Sequence, residues 1–252
     1  PPSRINLSNP TFEISWKAMI LPFIEQVNVA NGYQMGTNWY AAVNDPFTRT
    51  RIPVFMCPSA PNQRSKPPQN LYTRITNNTR TDSPTWGYTD YASINAVRSA
   101  VFELAGLGRL SVQDYRGVLV RYTNAALQQG TTEFCGTPMS FISDGTSNTA
   151  MVTEDAGRPF IYISGNKALN PRPGDAAQGT QFVRDGWGWA DINAGMSIDA
   201  SNRQGLQNNS NSSGATTMVP GGTCLMNCTN DSEVYSFHVG GSHFLMADAS
   251  AQ

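Results

Sequence analysis

The chain contains only two histidines, His238 and His243, five residues apart, with Asp248 five residues further on. Two imidazoles and a carboxylate are the donor set of a metal triad or of an acid–base pair. The spacing argues against convergence through regular structure. Five-residue steps alternate between the faces of a strand and fall about 140° apart on a helix, so only the Gly240-Gly241 turn could fold His243 back. The reading that follows is architectural. A neutral His238 satisfies backbone groups that the Gly-Gly turn leaves unpaired, with no bound metal and no catalytic residue.

Two other clusters offer chemistry. In Asp144-Gly145-Thr146-Ser147-Asn148 the side chains supply oxygens that a structural Ca²⁺ could use, and this ion is the one cofactor considered. The run lacks the acidic density of a calcium loop. It reads instead as a turn in which Asp144 and Ser147 accept their own backbone donors and Gly145 takes the left-handed conformation. Trp187-Gly188-Trp189, with Asp185, Asp191 and Asp199 around it, is a candidate glycan platform flanked by acids; the competing assignment is a pair of core anchors. The sequence contains no nucleotide loop, Gly-x-Ser-x-Gly elbow or serine triad.

The four cysteines point to a compartment. Cys57 and Cys135 each end an apolar run before a turn former, and Cys224 and Cys228 share a Gly- and Asn-rich stretch. Two disulfides, Cys57 with Cys135 and Cys224 with Cys228, are the simplest reading. They imply an oxidising environment and stabilise by roughly 4 and 2 kcal/mol on the chain-entropy model. Zinc is the rival, but a lone Cys-x3-Cys without a second close pair matches structural zinc spacings poorly.

The elements that must position these groups are short. Charged residues make up 14% of the 252 positions, and 22 Gly and 16 Pro punctuate the chain. With a net charge of −1 no basic field is available for nucleic acid or anionic lipid. Trp16, Met19, Ile20, Phe23, Ile24 and Val27 recur at helical spacing and predict a core helix that Pro22 kinks or restarts. Ile52–Met56 reads as an edge strand, because Pro53 cannot donate to a central ladder. Strands are expected within 86–97, 117–122, 139–142, 149–153, 160–163 and 244–247, and long surface excursions at 59–83 and 193–230. The pattern is α+β in a single domain over 1–252, one main amphipathic helix packed on an antiparallel sheet with decorated loops.

Four segments carry a resemblance. Trp16 with Leu21-Pro22-Phe23-Ile24-Glu25-Gln26 comes first, then Val54-Phe55-Met56-Cys57-Pro58-Ser59, then Ile142-Ser143-Asp144-Gly145-Thr146-Ser147-Asn148-Thr149 with Glu154. The fourth is Tyr235-Ser236-Phe237-His238-Val239-Gly240-Gly241-Ser242-His243-Phe244-Leu245-Met246-Ala247-Asp248-Ala249-Ser250. In this order they resemble a large bacterial family of pseudopilin-like proteins with a prepilin-type N-terminus and a C-terminal His, nine residues, Asp-Gly signature, whose spacing His238 and Asp248 reproduce. Val239 stands where the family usually has Pro, and Ala249 where it has Gly, so a turn requiring positive φ there carries about 1 kcal/mol of strain. The resemblance implies a pilin-like head whose N-terminal stalk helix is absent from this chain. It implies a non-catalytic structural subunit of an extracellular or cell-envelope assembly, as in pili or type II secretion. Its partners would be other copies of itself or other envelope proteins, with no nucleic acid, and with membrane contact only through the missing helix. A secreted glycan-binding module or glycoside hydrolase working through Trp187 and Trp189 is the alternative.

Overall fold

A computed structural model describes residues 4–5, 14–61, 85–108, 117–119, 137–167, 185–210 and 216–252. The strands are β1 (Arg4–Ile5), β2 (Ile14–Ser15), β3 (Tyr91–Val97), β4 (Ala150–Glu154), β5 (Tyr162–Ile163), β6 (Asn166–Lys167), β7 (Gly195–Ile198), β8 (Asn209–Ser210), β9 (Thr216–Thr217) and β10 (Phe244–Met246). The helices are α1 (Trp16–Ile20), α2 (Val27–Gly32), α3 (Asp45–Thr48) and α4 (Ser99–Leu104). One four-stranded sheet, in the order β10-β4-β3-β7, organises the fold, and β1-β2, β5-β6 and β8-β9 form separate two-stranded ribbons. The class is α+β, as the sequence predicts. The sheet is mixed, however: β10-β4 and β4-β3 are antiparallel, whereas β3 and β7 run parallel.

The expected core helix is three pieces. Ser15 caps α1 by accepting the Lys17 N–H, Pro22 lies in a 3-10 turn over Leu21–Ile24, and Glu25 ends that turn at φ 62° before α2 begins. The break rotates the apolar stripe. Trp16 stays buried, but Phe23 and Val27 are 85% and 49% exposed, while Ala18, Leu21 and Val29 enter the core instead. Lys17 is buried too. Its ammonium lies 4.8 Å over the Trp16 ring and donates to the Ala194 carbonyl at 3.4 Å, and burial drives its pKa down to about 7 against the pull of Asp191 and Asp155.

Proline also overrides the expected edge strand, since Pro53 opens a 3-10 turn over Pro53–Phe55. Residues 139–142, another expected strand, contain a 3-10 turn at Met139–Phe141. The expected excursion at 193–230 is partly interior: β7 joins the main sheet with Met196 in its core, and Asn202 and Asn208 are buried, while residues 211–215 lie outside the described residues. Asn208 replaces apolar packing with hydrogen bonds, donating to the carbonyls of Gly222 (2.7 Å) and Asp199 (3.3 Å) and accepting the Val219 N–H (2.9 Å). Beyond Pro61, the expected excursion at 59–83 lies outside the described residues.

Aromatic rings form the main core. Trp86 stacks on Trp187 at 4.9 Å and meets Trp39 at 4.5 Å. Trp189 packs against Tyr33 and Phe55, and its indole N–H donates to the Thr50 carbonyl at 3.0 Å. Gly87 permits this layer, because a Cβ there would lie 2.1 Å from the Thr50 carbonyl oxygen.

The C-terminal hairpin contains the strain that the sequence implies. Ala249 adopts φ 69° while its N–H donates to Met246 O (3.0 Å) and the Met246 N–H donates to Ser250 O (2.8 Å). An L-residue with a Cβ pays about 1 kcal/mol in this left-handed region. Ala249→Gly should therefore raise stability by about 0.5 to 1 kcal/mol, or roughly 1 to 3 °C in melting temperature. A thermal melt in which the variant is no more stable than the parent would contradict the strain.

Candidate functional site

β4 ends at Glu154, whose side chain is fully buried beside β3 at the Tyr91 register. Burial raises the energy of its charged form, but the donors around it outweigh that effect. The His243 N–H (2.9 Å) and the Ser242 hydroxyl (3.2 Å) both donate to Oε2. Although burial alone would raise its pKa, hydrogen bonds from the His243 backbone, Cys57 and Ser236, together with the charge of His238, hold Glu154 below the ordinary carboxylate value. A carboxylate is thus fixed in its ionised form under the end of the sheet.

His238 approaches the other oxygen, its Nε2 lying 3.1 Å from Glu154 Oε1 and 3.3 Å from Cys57 Sγ. Its Nδ1 is 3.1 Å from Ser59 Oγ. Cys57 follows the 3-10 turn that Pro53 opens and is 2% exposed, enclosed by Ala60, Ala156 and the partly buried Phe237. Its position is set from below by Asp90, whose Oδ2 accepts the Cys57 N–H (3.0 Å) and whose Oδ1 accepts the Gly157 N–H (2.9 Å). Burial, with Glu154 adding to it, pushes the Cys57 thiol up to about 11, the opposite of an activated nucleophile.

This arrangement corrects several expectations. Cys57 carries no disulfide and is a free, buried thiol directed at His238; Cys135 lies outside the described residues. Cys224 and Cys228 are bonded to each other as predicted. His238 is held by the side chains of Cys57, Ser59 and Glu154, and among the described residues its ring bridges no backbone group. Gly240, at φ 96°, does turn the chain so that the two imidazoles meet edge to face at 4.7 Å, and His243 Nδ1 comes within 3.4 Å of Glu154 Oε2. Asp248 does not join them. It is exposed and accepts the N–H (2.9 Å) and hydroxyl (2.6 Å) of Ser250, closing the hairpin that Ala249 strains.

The remaining candidates lie apart from this cluster. Trp187 and Trp189 are completely buried, so neither offers a face to a sugar ring. Asp191 is buried beneath them and accepts the N–H groups of Gly186 (2.7 Å) and Asn193 (2.9 Å). Asp185 uses its carbonyl to accept from Arg158 (2.6 Å), and Asp199 pairs with Arg98 at 3.3 Å. In the 144–148 turn Gly145 has φ 90°, but the lock is the Asn148 amide donating to Asp144 O (3.0 Å) and the Thr149 hydroxyl donating to Gly145 O (3.1 Å). The Asp144 carboxylate accepts only from the neighbouring Ser143 hydroxyl among its described hydrogen bonds. Glu154 and Ser59 were not singled out as site residues by spacing. The available signal was that Cys57 and Ser59, Glu154, and His238 fall in three of the four segments that carry the resemblance.

The cluster can do little as a catalytic triad. In such a triad the carboxylate orients one ring nitrogen and the nucleophile uses the other. Here thiol and carboxylate converge on the same nitrogen. Removing the carboxylate that anchors Cys57 tests the architecture: Asp90→Ala leaves the buried N–H groups of Cys57 and Gly157 unpaired. It should lower stability by about 2 to 4 kcal/mol in urea unfolding, and a loss well under 1 kcal/mol would show that Asp90 does not set the Cys57 loop.

No curated protein and no solved structure matches the chain. A family model does match, from residue 1 to residue 252, and so includes every segment that contributes to the Cys57, Glu154 and His238 cluster. The chain accordingly belongs to the family described as "Protein of unknown function (DUF1559)".

Proposed function

We propose that the protein is a non-catalytic structural subunit of an extracellular or cell-envelope assembly, a pilin- or pseudopilin-like head that packs against other copies of itself or against other envelope proteins. The observation that carries this reading is the exposure of Phe23 and Val27. Both lie in the apolar stripe that the sequence devotes to burial, and large apolar side chains placed in water at one end of a helical segment are surface that an assembly contact would cover. Pro22 sets them there by breaking the helix after α1. The Cys224–Cys228 bond agrees with an oxidising location, and none of the described helices is long and apolar enough to cross a membrane. The raised pKa of the Cys57 thiol and the doubly engaged His238 nitrogen argue against nucleophilic chemistry at this cluster.

Sedimentation of native material is the test. The parent should run as a large assembly, and Phe23→Asp should shift it toward single subunits with a melting temperature within about 2 °C, because exposed substitutions stay within roughly 0.5 kcal/mol. A parent that sediments as a monomer at native concentration, or a variant that assembles unchanged, would remove the basis of this function.

A further inference from the structure

We propose that Cys57, Glu154 and His238 form a zinc(II) site, with Cys57 Sγ, Glu154 Oε1 and His238 Nε2 as ligands and a fourth position open toward solvent. The three ligand atoms all lie within 4.8 Å of one another, and among the described residues no other group of three His, Cys, Asp or Glu side chains does so. The close pairs, 3.3 Å from sulfur to nitrogen and 3.1 Å from nitrogen to oxygen, approach the separations that a tetrahedral ion imposes. Zinc–sulfur bonds of about 2.3 Å and zinc–nitrogen or zinc–oxygen bonds of about 2.0 to 2.1 Å put neighbouring ligands roughly 3.3 to 3.6 Å apart.

Two features of the cluster want a cation rather than a proton. Nε2 meets the thiol and the carboxylate together, yet one N–H can be donated to only one of them. A metal ion at their centre serves all three atoms at once. Glu154 Oε1, moreover, is fully buried and faces His238 Nε2 at 3.1 Å without hydrogen-bond geometry, while Oε2 takes both the Ser242 hydroxyl and the His243 N–H. A buried carboxylate oxygen set against an imidazole nitrogen without the geometry for a shared proton is placed as two ligands of one ion would be, and an imperfectly satisfied buried charge is among the most expensive groups a fold can carry.

The surroundings fit the same ion. Ser59 Oγ beside Nδ1 gives that nitrogen an acceptor for its proton, which leaves Nε2 with its lone pair free, the orienting arrangement usual for a metal-bound imidazole. A thiol among the donors excludes calcium and magnesium as natural occupants, and sulfur, nitrogen and oxygen together suit zinc. Cys57 and Glu154 are buried, whereas the His238 and His243 side chains are 26% and 60% exposed, so the fourth position faces outward. This inference stands apart from the assembly proposed above, since a monomer could hold the ion equally well.

The experiment uses the whole chain, purified under reducing conditions and stripped with a chelator. Zinc titration against a chromophoric chelator should give one ion per chain with a Kd below about 1 µM. Cobalt(II) in its place should show a thiolate charge-transfer band together with the intense visible bands of four-coordinate metal. Cys57→Ser and His238→Gln should each weaken zinc binding at least about a hundredfold and remove or alter the cobalt spectrum, and Ser59→Ala should weaken it roughly tenfold. His243→Gln, a control for adventitious binding to an exposed histidine, should have a smaller effect than either ligand variant. Should the ligand variants fail to fold, the unaltered chain still answers: zinc should slow alkylation of Cys57, located by peptide mass spectrometry, by at least about tenfold. No binding at 100 µM zinc, affinity unchanged in folded Cys57→Ser, equal alkylation with and without zinc, or a native Cys57–Cys135 disulfide would each overturn the site.

Discussion

The carboxylate of Asp90 is fully buried immediately before β3, and it accepts one N–H from the Cys57 turn and one from Gly157, just past β4. Its own backbone extends the tie, with the N–H donating to Phe55 O and the carbonyl accepting from Asp155, both at 2.8 Å. Four bonds from one residue therefore register three segments that are far apart in sequence. Without that register the thiol of Cys57 has no fixed relation to Glu154, and the C-terminal histidine segment has no floor to settle on. A group of this kind works because a buried charged acceptor satisfied by amide donors is both strong and directional.

Around this tie the molecule tolerates several buried charges, each with its own compensation. Arg158 lies against Asp155 at 2.5 Å and spends its remaining donors on the Asn230 and Asp185 carbonyls and the Ser232 hydroxyl. Burial still lifts Asp155 to about 7, against the pull of the guanidinium. Buried pairs of this sort add little net stability compared with apolar packing, but removing one partner is severe. They suit a fold that is poor in long elements, because hydrogen bonds from Asn, Asp and Arg side chains hold turns where no helix or ladder does.

How far the sequence discloses this depends on whether a feature is local. The broken helix at Pro22, the Cys224–Cys228 bond, the strands around 91–97, 150–154 and 244–246 and the strained Ala249 follow from nearby residues and are legible in them. The parallel pairing of β7 with β3 is not, since Gly195–Ile198 is short, sits in a Gly- and Asn-rich stretch and owes its place to a distant partner. The same holds for the site. Spacing joins His238 to Asp248, whereas the fold joins it to Cys57 and Glu154, because Gly240 turns one imidazole onto the other while Asp248 closes a hairpin of its own. Phe23 shows the converse failure: helical periodicity assigns it to the core, and the 3-10 turn that Pro22 imposes rotates it out.

The order of the strands has a consequence for how the molecule comes into being. β3 waits for β7 and β4 waits for β10, so each sheet partner arrives roughly a hundred or ninety residues after the strand it joins. The Cys57 turn is made 181 residues before the imidazole that completes its surroundings. A chain whose decisive contacts are this non-local pays the loop-closure entropy before any of them forms, and it folds late and slowly. The sheet cannot close until β10 has been made, and through that interval β3 and β4 each lack one of their partners.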